Sequence, residues 1–183
     1  MFFGIDCQFG DAAFFAHFDR LIAYSKLLGI TTLVYGSPNL RKNIEIADTV
    51  FQKLDSMLDG TGVTVVIEPN ARKYGGEYFF TVPEIVEFIE KNKLRNICTM
   101  IDTHNLWLEG DDPVQIWQKY SPYIKHIHIS EDKLLPIIEE KHFTFGCLLL
   151  TLGYSIIVTY ELLLCPNLQS NVLTFVKMYG TGK

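Results

Sequence analysis

This sequence lacks paired cysteines and lacks an excess of basic side chains, and each absence removes a class of protein. Its four cysteines, Cys7, Cys98, Cys147 and Cys165, are scattered with no CxxC pair among them. A disulfide framework or a structural zinc site is therefore not expected, and a reducing, cytoplasmic setting is. Lys+Arg number 16 against 21 Asp+Glu, a net charge of −5. That balance provides no basic face for a phosphate backbone, so the expected partner is a small molecule and not a nucleic acid. No basic segment followed by an apolar run opens the sequence, and no secretory signal is expected. Phe145 to Cys165 is long enough for a bilayer but contains Gly146, Gly153, Ser155 and, deep within it, Glu161. A carboxylate at that depth is costly in hydrocarbon. The run parses better as a short helix ending at Gly153 and a buried strand from Ser155 to Glu161, so no membrane span is expected.

What the chain does have is 183 residues of which 48% are hydrophobic, enough for one core and one expected domain over residues 1–183. Met1 to Phe9 reads as a strand. Ala12 to Leu28 has helical spacing at Phe14, Phe18, Leu21 and Leu28 and closes at Gly29. Thr31 to Gly36 is strand-like, and Ile44, Ala47, Phe51, Leu54 and Leu58 then mark one helix face. Val63 to Glu68 reads as a buried strand. Thr81-Val82-Pro83-Glu84 is a capping box that opens a helix to about Lys93, and Ile97 to Asp102 is the next strand. Asp112 caps another helix, with Pro113 in its first turn and Gln115 reaching back, that ends before Pro122. Ile124 to Ser130 follows as a strand, then a poorly periodic stretch, the strand to Glu161 and a last helix over Val172, Val176 and Tyr179. Strands alternating with helices mean parallel, right-handed βαβ units.

The functional signal is positional. Four strands end on residues able to bind a metal: Glu68, Asp102, His128 and Glu161. In a β/α barrel the active site forms at the C-terminal ends of the strands, where these side chains would converge. The two-residue strand period puts Val66 with Glu68, Met100 with Asp102, His126 with His128 and Thr159 with Glu161. It leaves Ile67, Ile101, Ile127 and Tyr160 to meet the helices. His128 lies one layer nearer the mouth than His126, so His128 is the expected ligand and His126 packs beneath it.

The segments VIEPN (66–70), MIDTHN (100–105), HIHISE (126–131) and TYELL (159–163), with LVYGSPNLR (33–41), resemble the sugar-phosphate isomerases and epimerases of the xylose-isomerase-like TIM-barrel superfamily. The resemblance implies an α/β fold, an incomplete (β/α)8 TIM barrel lacking about the first two βα units. It implies one divalent cation held by Glu68, Asp102, His128 and Glu161. Three carboxylates and an imidazole suit Mn²⁺, Mg²⁺ or Co²⁺, and Zn²⁺ also fits. It further implies that Glu68 and Glu161 face each other across a sugar as acid and base in proton abstraction next to a carbonyl. Arg41, His104, Asn105, Glu131 and His142 are the candidate substrate-binding residues, and Tyr74-Gly75-Gly76 a candidate lid. His17 is expected to be structural. Five or six strands cannot close an eight-stranded ring, so the raw sheet edges are expected to be covered in a homo-oligomer, to be covered by local rearrangement, or to stay open. Two alternatives stay open: a non-catalytic remnant or interaction protein that retains the barrel site, and an abasic-site endonuclease, which the superfamily also contains.

Overall fold

The computed structural model describes residues 7–180. Five strands form one all-parallel sheet in sequence order: β1 (Thr32–Tyr35), β2 (Thr64–Ile67), β3 (Ile97–Asp102), β4 (Ile124–Ile129) and β5 (Ile157–Tyr160). The sheet curls into an arc with helices on its outside, an incomplete TIM barrel. Those helices are α1 (Ala12–Leu28), α2 (Ala47–Leu58), α3 (Val82–Asn92), α4 (Thr103–Glu109), α5 (Pro113–Tyr120), α6 (Glu139–Leu152) and α7 (Leu168–Tyr179). Strand order equal to sequence order is what successive right-handed βαβ crossovers produce.

Local chemistry sets the helix ends. Asp11 caps α1 by accepting a hydrogen bond from the Phe14 amide at 2.6 Å. Thr81 caps α3 by accepting from the Glu84 amide, while Glu84 Oε2 accepts from the Phe80 amide at 2.8 Å. The reciprocal bond of the predicted capping box thus lands one residue earlier than the motif requires. Thr81→Ala should cost about 1 kcal/mol and lower the melting temperature by roughly 2–4 °C; thermal melts of the two proteins check this. Asp112 accepts from the Val114 amide at 2.9 Å at the start of α5, as the sequence predicts.

Two expectations need correction. Of the strand expected at Met1 to Phe9, the first six residues lie outside the described ones, and Cys7 to Phe9 are not in a strand. Phe9 instead packs against Phe14, Tyr35 and Phe51 at 5.5 to 6.4 Å between ring centres. The helix expected to end at Gly153 is α6, which does end there but starts already at Glu139, within the poorly periodic stretch, and buries His142, Phe145, Gly146 and Leu149. Those positions follow helical spacing, but a histidine and a glycine hide it from a count of apolar residues. Gly146 is needed there, because a Cβ would stand 2.9 Å from the Met178 carbonyl of α7. Between β3 and α5, where the sequence predicts no element, α4 starts directly after β3, and its N-cap is Asp102 itself.

The core lies in two clusters outside the sheet. One surrounds Phe51 of α2, whose ring meets those of Tyr35, Phe79 and Phe88 edge-on at 5.4 to 5.5 Å. The other joins α3 to α7, and Ile101, Ile127 and Tyr160 pack in it. The two-residue alternation therefore places helix-facing and lumen-facing residues as predicted. Among the described residues, no helix is long and apolar enough to cross a membrane.

Candidate metal centre and pocket

The ends of β2, β3, β4 and β5 bring Glu68, Asp102, His128 and Glu161 together, with one ligand atom of each lying within 4.8 Å of all the others. Main-chain ladders carry the two glutamates to this rim: the Glu68 amide donates to the Tyr35 carbonyl at 3.1 Å, and the Glu161 amide to that of Ile129 at 2.9 Å. His128 Nδ1 sits between them, 3.3 Å from Glu68 Oε1 and 3.2 Å from Glu161 Oε1. Asp102 is held by the Asn105 amide at 2.8 Å and by the Ser130 hydroxyl, 2.9 Å from both carboxylate oxygens.

Burial and crowding set the electrostatics. Burial first, then the neighbouring Glu68 charge, pushes the Asp102 carboxyl up to about 7. Burial also raises Glu161 above the usual carboxylate range. Burial works against a charge on His128, but its hydrogen bond to Glu68 and the surrounding carboxylates hold its pKa above the ordinary imidazole value. Three carboxyl groups and one imidazole packed this closely form a donor set that a divalent cation would neutralise. The residues present therefore fit such an ion.

His126 lies beneath, with Nε2 3.1 Å from Thr159 Oγ1 and its ring edge-on to His128 at 4.9 Å. Burial, then the His128 charge, pushes it down to about 4. It thus stays neutral while His128 carries the contact to both glutamates.

Glu68, Asp102 and Glu161 line a pocket of about 500 Å³ whose walls include Asn70, Tyr74, His104, Asn105, Ser130 and Glu131. A second cavity of about 470 Å³, on the open side of the arc, reaches Glu68, His128 and Glu161 past Val34 and Gly36. Of the candidate substrate-binding residues, His104, Asn105 and Glu131 line the pocket. Asn105 also accepts from the Ala71 amide at 3.2 Å, and His104 Nε2 lies 3.5 Å from Lys73 Nζ.

Glu131 is tied to Lys141 Nζ at 2.8 Å and His142 Nε2 at 3.1 Å. His142 itself is fully buried, with Nδ1 2.8 Å from the Tyr179 hydroxyl, so it stands behind Glu131 and not at the pocket surface. Arg41 is also fully buried and outside the pocket. Its guanidinium donates to the main-chain carbonyls of Phe79 at 3.0 Å, Tyr35 at 3.1 Å and Glu68. His17 is on α1, away from the cluster. Tyr74 lines the pocket, in the segment singled out as a lid.

Three contributors were not anticipated: Asn70 in the wall, Ser130 as the partner of Asp102, and Gly36 against Glu68. For Ser130 a signal existed, since the alternation that pairs His126 with His128 continues to it.

The family model described as "Xylose isomerase-like TIM barrel" matches residues 8–161. A 3-keto-D-glucoside 4-epimerase from E. coli is similar in structure, with a TM-score of 0.79, 16% identity, and coverage of 96% of this chain and 76% of that one. A D-psicose 3-epimerase superposes with a TM-score of 0.71 at 18% identity, over 91% of this chain and 64% of that one. At such identities these structures establish the shared fold. In sequence, an inosose dehydratase of Bacillus anthracis is 28% identical over 67 residues, which are 36% of this chain and 22% of that protein. The match thus spans about a fifth of that relative's length.

Proposed function

Because this chain belongs to the xylose isomerase-like TIM barrel family, we propose that it is a sugar isomerase or epimerase whose Glu68, Asp102, His128 and Glu161 hold one divalent cation. The observation that carries this reading is the meeting of four groups from four successive strand ends within 4.8 Å, three of which, Glu68, Asp102 and Glu161, open into a pocket of about 500 Å³. A pocket of that size suits a small ligand. The two structural relatives described above are both sugar epimerases, which supports the reading.

Bound there, a divalent cation would polarise a substrate carbonyl and make the neighbouring C–H bond more acidic. The chain's own residues then divide the proton work. Glu68 and Glu161 approach His128 Nδ1 at 3.3 and 3.2 Å, so both carboxylates border the same point in space. One of these carboxylates is placed to take the proton and the other to return it. Proton removal on one face and return on the other inverts a carbon, whereas return at the neighbouring carbon isomerises. Ser130 and the Asn105 amide keep Asp102 in place, and Asn70, His104 and Asn105 offer polar contacts to sugar hydroxyls. Glu131, neutralised by Lys141, forms part of the rim.

Incubating the Mn²⁺-loaded protein with a broad panel of keto sugars in D₂O should replace hydrogen at the carbon beside the carbonyl, seen as loss of the C–H proton signal. EDTA should abolish the exchange. No exchange across the panel with Mn²⁺, Mg²⁺ or Co²⁺ would reject the reading, and metal uptake without exchange would favour the non-catalytic one. The inosose dehydratase match motivates a second reading, in which the same proton removal is followed by expulsion of a neighbouring hydroxyl; a product lighter by one water identifies it. The abasic-site endonuclease reading resembles a three-metal design rich in histidine. The cluster found among the described residues contains a single imidazole, and cleavage of abasic DNA would be required to revive it.

A further inference from the structure

Gly36 immediately follows β1, beside the point where Glu68 leans across from β2. A Cβ built on Gly36 would overlap Glu68 Oε2 and stand 3.2 Å from the carboxyl carbon. The backbone here does not require glycine, because Gly36 is not among the glycines with positive φ. What the missing side chain provides is volume, and the Glu68 carboxylate fills it. Arg41 fixes the main chain on the other side: it ties the carbonyl of Glu68 to those of Tyr35 and Phe79. Glu68 therefore projects from an anchored backbone into a space bounded by Gly36.

We propose that Gly36 is a positioning residue for Glu68, reserving the volume that lets its carboxylate turn toward His128 and Glu161. The inference rests on the metal-site reading above. A methyl group at Gly36 meets the far end of a flexible side chain, so the clash is relieved cheaply, by rotating the Glu68 carboxylate. That rotation carries it out of the cluster. Folding and positioning thus respond differently to one substitution.

The test is calorimetric titration of Mn²⁺ into wild type, Gly36→Ala, Glu68→Gln and the double variant, with a thermal melt of each. Gly36→Ala should bind Mn²⁺ roughly 10–100-fold more weakly while melting within a few degrees of wild type. In the Glu68→Gln background it should cause no further loss, because a residue acting through Glu68 has nothing left to position. A general structural role would instead lower affinity equally in both backgrounds, and that result overturns the proposal. So does Gly36→Ala binding within twofold of wild type. Wild type that takes up no Mn²⁺ overturns the metal-site reading and with it this inference, whereas wild-type uptake that Gly36→Ala leaves unchanged overturns this inference alone.

Discussion

Glu161→Gln is expected to slow substrate hydrogen exchange by a factor on the order of 10²–10⁴, the usual worth of a positioned acid or base. The amide has the size of the acid but cannot carry the proton, and it is a poorer partner for a cation. Fold damage should not account for the loss. The Glu161 side chain is 30% exposed, bordering both cavities, and its removal relieves carboxylate crowding around Glu68 and Asp102. The melting temperature of the metal-free variant should therefore equal or exceed that of wild type. Deuterium uptake by NMR together with a melt decides it. Exchange within twofold of wild type would remove Glu161 from the proton chemistry.

The second large effect concerns acid stability and the group behind the rim. His142 is fully buried between Glu131 and Tyr179, and burial pushes its pKa down to about 4 despite the carboxylate beside it. The contacts fit a neutral ring that donates from Nε2 to Glu131 and accepts at Nδ1 from the Tyr179 hydroxyl. A folded-state pKa below the unfolded one means that acid favours unfolding. Stability is intact above about pH 6.5, where the unfolded histidine is also neutral, and falls until the folded ring protonates near pH 4. The loss amounts to roughly 3 kcal/mol across that window.

Glu131 acts in the same direction. Burial raises its pKa, but the bond to Lys141, with further help from His142, leaves it lowered overall. Its contribution is therefore present above the ordinary carboxylate range and is lost as pH falls through the folded value. The metal-site carboxyls respond oppositely, since Asp102 and Glu161 are raised and gain from protonation. The wild-type curve is thus a sum of opposing slopes, and the informative quantity is the difference from His142→Gln. Glutamine can keep both hydrogen bonds but does not titrate. Urea unfolding at pH 7 and pH 4.5 should show wild type losing about 2–3 kcal/mol more than the variant. Equal losses would show that His142 does not supply the acid sensitivity.

The four candidate ligands were legible because strand periodicity and strand ends are local features. Once Ile67, Ile101 and Ile127 face the helices, the neighbours of these residues must face the lumen. Helix ends were legible wherever a side chain caps its own turn, as at Thr81 and Asp112. The rest depended on distant partners. Arg41 looked like a pocket residue, yet its donors go to Tyr35, Glu68 and Phe79, three carbonyls that no spacing rule brings together. His142 likewise owes its place to Glu131 and Tyr179, and the first turns of α6, the helix expected to end at Gly153, are hidden because its buried face includes that histidine and Gly146. The value of Gly36 shows only when the neighbouring strand is in register beside it.

The proposed convergence of four strand ends on one cation site underlies the expected effects on activity and metal binding. It is tested most directly by the electron paramagnetic resonance spectrum and stoichiometry of Mn²⁺ bound to the purified chain. One ion per chain is expected, with nitrogen coupling from a single imidazole that disappears in His128→Gln and persists in His126→Gln. Absence of stoichiometric uptake, or a bound ion whose spectrum is unchanged by His128→Gln, would contradict it.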